Sequence, residues 1–180
     1  FPITNFTADS RKDDYVLCYE DTWSKGIHKT WLDFLTDTAK LRKQINESPA
    51  DDWILHCEDY WYFLVIFTAL LQCKKRILLT QNITENFIKE IRKEGIEFVT
   101  DQIVPDSRFI PDMVEKAEIP SKEEIRTTPE IVAEETRILL FTSGSTGKPK
   151  AVPQRMKEFN EDNAFVASKW HKEFENRKLV

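Results

Sequence analysis

Apolar residues along this chain recur in two alternating patterns. Short continuous apolar runs, "WILHC" at 53–57, "RILLT" at 76–80, "IEFVT" at 96–100 and "TRILLFT" at 136–142, have the length and branched content of strands buried on both faces. Between them lie stretches with helical spacing. From Thr30 the residues Trp31, Phe34, Leu35, Thr38, Leu41, Arg42 and Ile45 recur at near-helical spacing, and Thr30 with Asp33 three residues on forms a capping-box pattern. The segment 59–73 is apolar all round, as expected of a buried helix. Glu58 and Asp59 stand at its start as candidate caps. Thr84 opens a further helix expected to run through Glu94, with Phe87, Ile88 and Ile91 inward and Gly95 at its end.

Strands alternating with helices predict an α/β fold, a mainly parallel sheet flanked by helices. "WILHC" and "RILLT" should lie side by side, with the 59–73 helix buried against them. "DYVLCYE", 14–20, reads as a short strand ahead of this unit. Residues 101–130 carry Pro105, Pro111, Pro120 and Pro129 among many charges and read as an irregular connection. After the last apolar run, Met156, Phe159, Asn163, Val166, Trp170 and Phe174 recur at helical spacing, so an amphipathic helix is expected near the C-terminus. The chain reads as a single α/β domain over 1–180.

Composition narrows the function classes. A net charge of -5 and scattered lysines and arginines exclude a broad basic face for nucleic acid. The longest apolar run, Trp61 to Leu71, is shorter than the roughly 20 residues that span a bilayer, so no membrane span is expected. Cys18, Cys57 and Cys73 lack CxxC spacing and sit in or beside apolar runs, the pattern of reduced thiols in a cytoplasmic protein. His28 and His171 lie in polar surroundings, and His56 ends a buried strand, where a structural role is expected. No metal-binding set is assigned.

The chemistry concentrates in "ILLFTSGSTGKPKAVPQ", 138–154, which holds two of the four glycines in the chain. A strand that delivers a Gly-, Ser- and Thr-rich loop can aim backbone N–H groups and hydroxyls at an anion, because glycine lets the backbone turn inward. Gly144 and Gly147 are too close for a Walker A loop, and Pro149 follows Lys148 where that motif has Ser or Thr. A dinucleotide fingerprint is excluded as well, since no further glycine follows.

The run Phe141, Thr142, Ser143, Gly144, Ser145, Thr146, Gly147, then Pro149 and Lys150, resembles the signature loop of the AMP-forming adenylating enzymes. That family includes acyl-CoA synthetases, fatty acyl-AMP ligases and peptide-synthetase adenylation domains. Two departures stand out: Ala151 where the family usually has glycine, and Met156 near a frequent histidine. The resemblance implies a fold, the incomplete N-terminal subdomain of an adenylate-forming enzyme. It also implies a reaction, in which a carboxylic acid is activated by ATP as an acyl-adenylate and passed to a thiol, on CoA or a carrier protein.

In that reading the 142–150 loop binds the β- and γ-phosphates through Thr142, Ser143, Gly144, Ser145, Thr146, Gly147 and Lys150, whereas Lys148 falls at a variable position. No catalytic residue is expected in this piece, which alone should be inactive. The Mg²⁺ ligands are expected downstream, and an incomplete domain should expose apolar surface and tend to self-associate. Two other classes stay open: a stand-alone α/β module that binds nucleotide or anion without catalysis, and a protein-interaction domain whose loop is incidental.

Overall fold

The computed structural model of the chain describes residues 11–19, 28–143, 149–162 and 165. The first described unit is a small antiparallel pair, β1 (Val16–Tyr19) with β2 (His28–Thr30), which leads directly into α1 (Trp31–Glu47). Thr30 caps α1 as the spacing predicts. Its Oγ1 accepts from the Asp33 backbone N–H at 3.2 Å, and Asp33 Oδ2 accepts from the Thr30 N–H at 2.8 Å, so two of the donors orphaned at a helix start are satisfied reciprocally.

The chain then enters the main sheet with β3 (Asp52–His56), α2 (Tyr60–Gln72), β4 (Arg76–Leu79), α3 (Glu85–Ile91) and β5 (Ile96–Thr100). Next come β6 (Arg108–Phe109), α4 (Ile110–Glu115), α5 (Lys122–Arg126), β7 (Arg137–Ser143) and β8 (Pro149–Gln154). Among the described residues the sheet has six strands in the order β6-β5-β3-β4-β7-β8. All neighbours are parallel except β7 and β8. β3 and β4 are adjacent, with Trp53 opposite Ile77 and Ile54 opposite Leu78, as the apolar runs predict.

Successive strand residues point to opposite faces, and the register therefore sorts the sheet into two surfaces. On the first face Trp53, Leu55, Ile77, Val99 and Ile138 join one core with α1, α2 and α4, including Phe34, Leu41, Val65, Ile66, Leu70 and Ile110. On the second face Ile54, Leu78 and Phe98 join Ile88 and Ile91 of α3, with Leu139 and Phe141 packed at the edge. α2 has no polar stripe, and Val65, Ile66, Ala69 and Leu70 on it are inaccessible to solvent.

Three regions depart from the sequence reading. α3 ends at Ile91, not Glu94. Gly95 then turns the chain into β5 with φ of +80°, a conformation that suits glycine. Within 101–130, taken as irregular, lie β6, α4 and α5. Pro111 falls in the first turn of α4, where the missing N–H costs no helical bond. Ser121 and Glu124 form a capping box for α5. Finally, a strand, β8, follows the glycine loop before the helix begins at 156. Its Pro149 and Pro153 hid it, yet β8 is the sheet's edge strand, where proline is tolerated.

Candidate functional site

Four of the five parallel strands, β3, β4, β5 and β7, end on one edge of the sheet, and the loops that leave it define the candidate site. β7 carries the motif to that edge. It pairs with β4 on one side, Leu78 opposite Leu139, and with β8 on the other. The return strand sets Ser143 opposite Pro149 and Thr142 opposite Lys150, so β7 and β8 run antiparallel side by side up to the carboxyl end of β7. The structure thus brings the backbones of Thr142, Ser143 and Lys150 together. Gly144, Ser145, Thr146 and Gly147 lie outside the described residues, as does Lys148. Lys150 is exposed, on the sheet face it shares with Val152. Its neighbour Ala151, opposite Phe141, points to the second face.

Beside this strand pair the edge is tied into a rigid platform. α2 follows β3 on the first face and α3 follows β4 on the second, so the connections part between the carboxyl ends of β3 and β4. In open α/β sheets such a switch point is the usual ligand crevice. Here His56 Nδ1 lies 3.1 Å from the Thr80 carbonyl oxygen. A carbonyl only accepts, which places a ring proton on Nδ1, and among the described residues the buried Nε2 has no hydrogen-bond partner. The structural role expected for His56 is therefore half met.

Asp101, just past β5, was not singled out by sequence. Its Oδ2 accepts from the Glu58 N–H at 2.9 Å and from the Asp59 N–H at 2.7 Å, joining the β5 loop to the β3 loop. Asp59 in turn caps α2, Oδ1 accepting from Trp61 N at 2.8 Å and Tyr62 N at 3.1 Å. Of the two carboxylates expected to cap this helix, Asp59 does so. Glu58 is instead held through its backbone.

Burial, then the neighbouring Asp101 charge, pushes the Cys57 thiol far above its ordinary range, which makes it a poor nucleophile. Burial pushes Cys73 up to about 11. Among the described residues no group of three or more His, Cys, Asp or Glu is placed to hold a metal ion. None of the helices formed by those residues is long and apolar enough to cross a membrane.

The second face holds a groove of about 590 Å³ under the C-terminal half of α3. Leu78, Ile96, Leu139 and Phe141 floor it, Pro149 and Ala151 of β8 wall it, and Asp52, Arg76, Glu90 and Lys93 rim it. Arg76 donates to Asp52 there. No single apolar run encodes this groove, because it arises from the shortness of α3.

No family model and no curated protein matches the chain. Solved structures do. The N-terminal subdomain of Klebsiella oxytoca NpsA, in complex with 3-hydroxyanthranilyl-AMSN, superposes with a TM-score of 0.57 at 19% identity, over 80% of this chain and 37% of that one. The chain has the fold of the N-terminal subdomain of adenylate-forming enzymes. MatB from Rhodopseudomonas palustris matches with a TM-score of 0.62 at 14% identity, over 94% of this chain and 37% of its own. Bacillus subtilis o-succinylbenzoate CoA synthetase, MenE, in complex with the acyl-adenylate intermediate OSB-AMP, matches with 0.62 at 16%, over 87% and 43% respectively. At such identities it is the fold that is shared. The present chain spans about two-fifths of the length of these structures.

Proposed function

We propose that the chain is the N-terminal portion of an ATP-dependent, AMP-forming acid ligase, which activates a carboxylic acid as an acyl-adenylate and transfers the acyl group to a thiol, on CoA or a carrier protein. One observation carries this reading: the Phe141–Lys150 motif lies on the β7–β8 pair, at the carboxyl edge of a sheet that has the adenylate-forming fold. In the reaction a carboxylate oxygen attacks the α-phosphorus of ATP, the bond from that phosphorus to the bridging oxygen breaks, and pyrophosphate leaves with the electron pair.

This chain's share is to hold the leaving group. Backbone N–H groups at Gly144 and Gly147, with the hydroxyls of Thr142, Ser143, Ser145 and Thr146, stabilise the charge that grows on pyrophosphate, and Lys150 adds a cation beside Thr142. Lys148 has no assigned role. The resemblance assigns the Mg²⁺ ligands downstream of this stretch, and no step is routed through the metal here. Cys18, Cys57 and Cys73 form no disulfide, which fits a reducing, cytoplasmic setting.

The open second face supports the view that 1–180 is an incomplete domain, since parallel sheets are ordinarily covered on both sides. Left bare, that face favours self-association of the isolated chain. The complete core on the first face favours a second reading, a stand-alone module that binds nucleotide or anion without catalysis.

The test is carboxylate-dependent exchange of labelled pyrophosphate into ATP. The 180-residue chain should show none, because it lacks the groups that position the acid and the α-phosphate. The polypeptide encoded by the whole natural reading frame should show exchange with some carboxylic acid, with Lys150→Ala reducing it and Lys148→Ala changing it little. Exchange by the short chain would overturn the incomplete-domain reading. Indifference of the long polypeptide to Lys150→Ala would overturn the role given to the loop, and a reading frame that ends at Val180 would favour the stand-alone module.

A further inference from the structure

We draw no further inference here: the strongest candidate, the apolar groove between α3 and β8 on the second face of the sheet, carries nothing beyond the incomplete-domain reading, because nothing in the structure shows which segment or partner covers it.

Discussion

The two faces of the sheet are built from the same strands yet are covered unequally. On the first, α1, α2 and α4 bury Trp53, Leu55, Ile77 and Ile138 almost completely. On the second, the seven residues of α3 cover Ile54, Leu78 and Phe98 but leave Leu139 and Phe141 half-buried and Ala151 exposed. An apolar strand residue is therefore evidence of a buried face only when an element long enough to cover it packs there. The pleat makes both faces apolar, and helix length decides which one is dry.

The sharpest way to break this comparison is to delete the same side chain on each face. Leu70, in α2, has no solvent exposure, and Leu70→Ala should cost about 2–5 kcal/mol through lost burial and the cavity left behind. Leu139→Ala, against an open groove into which neighbours can relax, should cost roughly 1–2 kcal/mol. Urea unfolding of both variants measures the difference, and equal losses would show that the second face is as tightly packed as the first.

A somewhat smaller effect is expected at the carboxyl edge. Asp101→Ala strands the Glu58 and Asp59 N–H groups and should cost about 1–2 kcal/mol at this partly solvated position, whereas Asp101→Asn keeps an acceptor and should recover much of that. Amide hydrogen exchange at Glu58 and Asp59 checks the assignment directly. Exchange unchanged in Asp101→Ala would mean that the loops are held by something else.

Protonation offers a third, weaker probe of how dry the first face is. Burial raises the Cys73 thiol from its ordinary 9.0 to about 11, so the folded state holds the proton that the unfolded state has released. The stabilisation is present in full below pH 9.0 and is lost as pH rises towards 11. The melting temperature should fall across that window by a degree or two more in the wild type than in Cys73→Ala. Parallel curves would mean that the thiol is better solvated than its setting between α1 and α2 implies.

The smallest effect tests the openness of the groove itself. Ala151→Lys, on the exposed edge strand, should change stability by no more than about 0.5 kcal/mol in the 180-residue chain. A loss of several kcal/mol would mean that the wall of the groove is already covered.

Much of this architecture was legible in the residues themselves. The apolar runs placed β3, β4, β5 and β7, the featureless apolarity of 59–73 marked the most buried helix, and Thr30 with Asp33 located the start of α1. What escaped notice had physical reasons. Pro111 read as a breaker because proline lacks an N–H, but at the first turn of α4 that N–H is not needed, nor is that of Pro149 on the edge strand β8. The Ser121–Glu124 capping box was present in the residues but was overshadowed by its charged, proline-rich surroundings. Asp101 gave no local signal, since its partners lie more than forty positions away.

By itself, then, the sequence determined whatever depends on neighbours a few residues apart: which stretches are strand or helix, where α1 is capped, and the Gly-, Ser- and Thr-rich run whose resemblance suggested the phosphate reading. Only the tertiary structure decided that β4 lies between β3 and β7, that β8 runs antiparallel beside β7 with Lys150 opposite Thr142, and that α3 leaves one face open. Caps and periodicity are governed by short-range sterics and hydrogen bonds. Strand order and coverage are set by which apolar surfaces best exclude water from one another, a property of the whole chain.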